Sequence, residues 1–118
     1  MLDFRLEWLP ETDTGIRVLK LAGPFTLNAV FEFQSAVRQP AQGFTIVDLT
    51  EVPYMDSAAL GSLLGMHVSC QRDKRLYAII GASERLKTSF RVSGVNGFLV
   101  LADSLEQARN IGAKAASA

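Results

Sequence analysis

The sequence holds a single cysteine, Cys70, and a single histidine, His67, in 118 residues. One thiol excludes an internal disulfide, and the two residues together fall short of a four-ligand Cys/His zinc site. Net charge is also absent: twelve Lys and Arg balance twelve Asp and Glu, so no long-range field draws the chain toward nucleic acid or anionic lipid. The longest apolar run, Leu76 to Ala82, is far short of the roughly 18 residues that a membrane-spanning helix needs. Asp3, Arg5 and Glu7 stand where a secretory signal would place its apolar stretch. A cytoplasmic protein without membrane insertion, bound metal or cofactor is expected.

What is present suits one globular domain spanning residues 1–118. The composition is 48% hydrophobic, 20% charged and 8% aromatic, and at this length roughly two thirds of the unfolded chain's surface can be buried. Phe4, Leu6 and Trp8 alternate with Arg5 and Glu7, the period-2 pattern of a half-exposed edge strand. A turn-rich stretch, PETDTG, leads to a second strand over Ile16 to Ala22, so the two strands form an antiparallel hairpin. Phe4 and Trp8 on this edge strand suit either a dimer surface or packing under a helix, and the second is expected. Leu27 to Arg38 repeats apolar residues at helical spacing, with Thr26 placed as the N-cap and Pro40 as the stop.

From there strand and helix alternate. Phe44 to Leu49 is a buried strand. Ser57 to Cys70 is a helix with Leu60, Leu63, Leu64 and His67 on one broad face, and Leu76 to Ile80 is the next strand. A helix opened by Ser83 and closed by Ser93 and Gly94 follows, then a strand over Phe98 to Leu101, then a last helix whose Ser104 and Gln107 have capping-box spacing. The order predicts an α/β fold: a mainly parallel sheet of about five strands with one antiparallel edge strand, covered by about four helices.

In such sheets, function gathers where strands end and helices begin, because helix N-termini present free N–H groups and partial positive charge. The junction VDLTEVPYMDSAALG, residues 47–61, ends a strand near Leu49 and opens a helix at Asp56 and Ser57, either of which could cap it. Asp48, Leu49, Val52, Met55, Asp56, Ser57, Leu60 and Gly61 match the signature of the STAS domains, the sulfate transporter and anti-sigma-factor antagonist family. The chain resembles that family from Gly15 through the closing segment SERLKTSFRVSGVNGFLVLADSLEQA.

The resemblance implies a regulatory module without catalysis of its own, which binds an anti-sigma factor that is also a serine kinase. It assigns phosphorylation to Ser57, with a serine phosphatase reversing it. It centres partner binding on Tyr54, Met55, Asp56, Ser57, Ala58, Leu60 and Gly61, together with the loop residues Pro24, Phe25, Thr26 and Asn28. The chain departs from the family at Ala58 and Ala59, where Ser or Thr and then Gly are usual, and at Gly23-Pro24-Phe25-Thr26, where many phospho-switched members carry an acidic residue. Those departures favour the alternative, an unphosphorylated STAS subunit of an ABC-type lipid transport complex. A nucleotide-binding STAS module is a third reading, without a phosphate-gripping loop to support it. A monomer or weak dimer is expected.

Several residues have plainer readings. Asp48 and Asp56 lack the third ligand, catalytic His or Gly-rich loop that acid/base or Mg²⁺ chemistry requires. His67 is expected as a hydrogen-bonded or edge histidine, and Cys70 as a small buried hydrophobe. Gly61 and Gly65 are read as permitting close packing of their helix on the sheet, since the membrane meaning of that spacing needs an apolar helix of about 20 residues.

Overall fold

The alternation around Leu6 does produce an edge strand, β1 (Arg5–Trp8), with charged side chains exposed and apolar ones half-buried. The computed structural model describes residues 3–10, 15–39 and 44–117. Most of the PETDTG turn, and Pro40, lie outside the described residues. β2 (Ile16–Ala22) pairs antiparallel with β1, and β3 (Phe44–Glu51) and β4 (Leu76–Ile80) follow in parallel, giving a four-stranded sheet in the order β1-β2-β3-β4.

The described residues also form four helices, α1 (Leu27–Arg38), α2 (Ser57–Arg72), α3 (Glu84–Val92) and α4 (Leu105–Ser117). Period-2 alternation along β3 decides what each face packs against. Val47 and Leu49 join the larger core with Phe33, Leu63, Leu86 and Phe90 from α1, α2 and α3. Phe44 and Ile46 point the other way, with Ala78 and Ile80, onto Ala108 of α4. The sheet is therefore sandwiched, three helices against one.

Three sequence expectations are corrected. Phe98 to Leu101 is not a strand: Phe98 is 62% exposed, and the N–H groups of Phe98 and Leu99 turn back to the Val95 carbonyl. Among the described residues a single bridge, Ile79 to Leu101, touches the edge of β4, so four strands stand there where about five were expected.

The inward face of α2 is also rotated from the expected one, being Ala59, Ser62, Leu63, Met66 and Cys70. Small Ala59 and Ser62 let the helix approach the sheet, and Ser62 satisfies its buried hydroxyl on the Ala59 carbonyl at 2.6 Å. Leu60, Leu64 and His67 fall on a flank, half-buried. Gly61 and Gly65, finally, are exposed, and a Cβ at either would meet nothing within 4 Å. Their spacing marks the solvent side of α2.

The helix ends follow local chemistry. Ser83 accepts from the Leu86 N–H at 3.2 Å and opens α3, and Ser104 accepts from Gln107 N–H at 3.1 Å while Gln107 reaches back to the Asp103 N–H. The last turn of α2 closes with Arg75 N–H on the Cys70 carbonyl at 2.8 Å, which forces Lys74 to φ 57°. A side chain in that left-handed region costs about 1 kcal/mol that glycine avoids. Lys74→Gly should accordingly raise stability by about 1 kcal/mol, read as a higher denaturation midpoint at unchanged m-value; a fall would mean that the Lys74 stem contributes more than the backbone strain removes.

Candidate functional site

The loops after β2 and β3 leave the same end of the sheet and are laced together. Phe25 forms a parallel bridge with Met55; its N–H donates to the Tyr54 carbonyl at 3.1 Å, and its carbonyl accepts from Asp56 N–H at 3.2 Å. The Phe25 side chain is 0% exposed, with its ring 5.4 Å from that of Phe4 and 5.1 Å from that of Phe33. Phe25 therefore cannot meet a partner directly; it anchors the loop that presents Pro24, Thr26 and Asn28. Gly23 precedes it at φ +88°, where an added Cβ would stand 2.5 Å from the Asp3 carbonyl oxygen. Only glycine fits that approach.

Asp56 is the centre of this junction. Its Oδ1 accepts from Ala59 N–H at 2.9 Å, capping α2, while Oδ2 accepts from Leu27 N–H at 2.9 Å, at the start of α1. Thr26 occupies the N-cap position of α1 yet makes no side-chain cap bond, so the expected local cap is replaced by one reaching across from the next loop. One carboxylate thus satisfies amides of two helices. Those N–H groups favour the charged form, the Ala59 bond most, and hold the carboxyl below the usual carboxylate range against the opposing effect of burial.

Because Asp56 does the capping, Ser57 has no structural duty. It is the first residue of α2, exposed, and its hydroxyl makes no hydrogen bond among the described residues. Beside it, a shallow depression of about 270 Å³ runs between the start of α2 and the far end of α3, lined by Met55, Asp56, Ser57, Leu60, Ser89 and Val92. Val92 is 83% exposed. Tyr54, also exposed, lies against Arg85, whose guanidinium is 5.7 Å from the ring centre.

The structure gathers Tyr54 to Gly61 and the Pro24 to Asn28 loop at one end of the sheet. Tyr54, Ser57, Gly61 and Asn28 are exposed there, while Met55, Asp56, Ala58, Leu60, Pro24 and Thr26 are half-buried. Ser89 and Val92 on α3, which the sequence does not single out, border the same depression. Their only sequence signal is an apolar residue, Val92, out of phase with the buried Leu86 and Phe90 of the same helix.

Asp48 and Asp56 do not share a site. Asp48 Oδ1 is held by the Thr50 N–H at 2.9 Å and hydroxyl at 2.6 Å, whereas Asp56 is committed to α1 and α2. Among the described residues no group of three or more His, Cys, Asp or Glu could hold a metal ion, and no helix is long and apolar enough to cross a membrane. His67 is half-buried, with Nδ1 2.7 Å from the Tyr77 hydroxyl, which also receives the Val100 N–H at 3.1 Å. That network is satisfied when the hydroxyl accepts from Val100 and donates to the imidazole. Cys70 is buried, and burial pushes its thiol up from the ordinary value, which suits packing rather than nucleophilic attack.

The STAS domain family pattern matches residues 7–108 of this chain. The anti-sigma-B factor antagonist of Listeria monocytogenes is 34% identical over 94 residues, which take up 77% of this chain and 82% of that protein. Among solved structures, an anti-sigma factor antagonist from Mycobacterium paratuberculosis superposes with a TM-score of 0.74 at 15% identity, covering 92% of this chain and 95% of that one. The Bacillus cell fate determinant SpoIIAA in its phosphorylated form superposes at 0.63 with 22% identity, covering 92% and 97%. With the motif at residues 48–61, the family match over most of the length and the shared fold all in agreement, the chain belongs to the STAS domain family.

Proposed function

We propose that this protein is an anti-sigma-factor antagonist. It captures an anti-sigma factor on the surface formed by the start of α2 and the loop before α1, and phosphorylation of Ser57 switches that capture off. The observation that carries this reading is the division of labour between neighbours: Asp56 holds the two helix ends, so Ser57 can be modified without loosening the fold. A Listeria relative that is 34% identical over 94 residues is named for the same activity.

A phosphoryl group adds about 1.5 to 2 negative charges. On the first turn of α2 it meets the positive end of the helix dipole, while the Asp56 carboxylate beside it supplies like-charge repulsion. The fold tolerates the group and the surface changes sign. A protein of the same fold, SpoIIAA, has been solved with phosphorylation present. The serine kinase is the captured anti-sigma factor itself, and a separate phosphatase returns the protein to its binding form. The module performs no catalysis of its own.

Affinity capture from the source cells with the wild-type chain, followed by mass spectrometry, tests this. An anti-sigma factor carrying a kinase domain should be retained, and incubation with ATP should release it and leave phosphate on Ser57. Recovery of a membrane permease and its ATPase instead, with Ser57 unmodified, would transfer the protein to the transport-subunit reading.

A further inference from the structure

β1 is the open edge of the sheet: among the described residues no strand or loop pairs with its outer side. Which of its backbone groups face outward follows from the ladder. Leu9 N–H donates to the Val18 carbonyl at 2.9 Å, so Leu9 and Val18 are a hydrogen-bonded pair. Such pairs alternate along an antiparallel ladder, which makes Glu7 with Lys20 and Arg5 with Ala22 the next ones inward. Phe4, Leu6 and Trp8 therefore aim their N–H and C=O groups away from β2, into solvent.

The side chains on this edge are arranged symmetrically about Leu6. Arg5 and Glu7, both exposed, flank it on one face of the sheet; Phe4 and Trp8 flank it on the other, half-buried. Charges on an edge strand ordinarily discourage pairing, but here their order is self-complementary. Across the sheet on the Arg5 and Glu7 face, Glu51 is bridged to Lys20, and Lys20 stands opposite Glu7. The row alternates in sign and ends at the open edge on a negative charge.

We propose that β1 of one copy pairs antiparallel with β1 of a second copy about a two-fold axis at Leu6, joining two sheets into one eight-stranded sheet. In that register the outward N–H and C=O groups of the two Leu6 residues bond each other, and those of Phe4 bond Trp8 of the second copy. Arg5 faces Glu7 of the second copy, twice by symmetry, at the positions without hydrogen bonds, where side chains approach most closely. The charge row then continues across the interface with the correct sign. The contact is isologous, so it closes at a dimer and does not propagate into fibres. It lies at the opposite sheet edge from the strand that contacts Leu101, and it uses none of the residues proposed to meet an anti-sigma factor.

Sedimentation velocity on the full chain over a concentration series, with thermal melts of every variant, tests the proposal. Wild type should pass from monomer to dimer as concentration rises. Arg5→Glu alone and Glu7→Arg alone each place like charges opposite one another twice, and each should weaken self-association by roughly tenfold or more. An equimolar mixture of the two variants should form a heterodimer, and the double variant should regain self-association. Amide exchange on wild type gives an independent reading that needs no variant. The Leu6 and Trp8 amides should slow with concentration, while the Glu7 amide, already bonded within the monomer, should not change. A wild type that stays monomeric, a dimer indifferent to both variants, or Leu6 exchange independent of concentration would each overturn the pairing.

Discussion

Asp56→Ala should cost about 2 kcal/mol of stability, roughly twice the loss of an ordinary helix cap, because one carboxylate serves two helices. The removed bonds are those from Ala59 N–H and Leu27 N–H, each 2.9 Å long. Asp56→Ser separates the two contributions. A serine hydroxyl at the N-cap still reaches the Ala59 amide but cannot simultaneously hold Leu27, so it should lose about half as much. The pH dependence carries the same signature. Hydrogen bonds from Ala59 first, and Leu27 as well, depress the folded-state pKa of Asp56. Its contribution is therefore complete above the unfolded carboxyl value of about 3.9 and disappears as pH falls through the lower folded value. Wild type should thus lose stability more steeply than Asp56→Ala on acidification below about pH 4, and denaturant titrations of both chains across that range measure the difference. Parallel curves would show that the carboxylate bonds contribute nothing to folding.

That double cap also shows where sequence reading stops. Asp56 ahead of a helical run is legible as an N-cap, and β2, α1 and β4 run over the residues their periodicity predicts, because each depends on neighbours in the chain. The bond from Leu27 spans 29 positions, and nothing local to Thr26 says that its capping duty passes to another loop. Phe98 to Leu101 fails for a related reason. Four apolar residues state that a segment wants burial; they do not state whether its amides will meet a strand or its own turn, as those of Phe98 and Leu99 do at Val95. The spacing of Gly61 and Gly65 suggests a packing seam, yet the helix meets the sheet through Ala59, Ser62 and Leu63. Small residues permit close approach without specifying which side of a helix uses it. Phe25 belongs to the loop before α1 by position and to the core by packing, a distinction made only when Phe4 and Phe33 close around it. The family signature picked out the candidate junction, while the tertiary contacts sorted its residues into exposed and supporting ones.

The exposed, unbonded Ser57 gives the largest functional expectation. Ser57→Asp should fold as well as wild type, since a negative charge at the start of a helix gains about 0.3 to 1 kcal/mol from the dipole, offset by the Asp56 carboxylate next to it. Ser57→Ala should also be close to neutral for stability, because the cap bonds of α2 and α1 belong to Asp56 and alanine is a good helix former. The alanine expectation differs from that for a capping serine, where alanine would lose about 1 kcal/mol; aspartate is close to neutral in either case. Binding should separate the two variants. If Ser57 lies at the centre of a protein interface, alanine leaves that surface neutral and should retain capture while abolishing phosphorylation. Aspartate places an unpaired charge in the contact. Desolvating it costs several kcal/mol, and about 2.8 kcal/mol already lowers affinity a hundredfold. Calorimetric titration of the purified anti-sigma factor with wild type, Ser57→Ala and Ser57→Asp, set beside their melting temperatures, reads both effects in one series. Strong binding by the first two and at least a hundredfold weaker binding by the third, at equal stability, is the result a surface switch requires; equal affinity for all three would sink it.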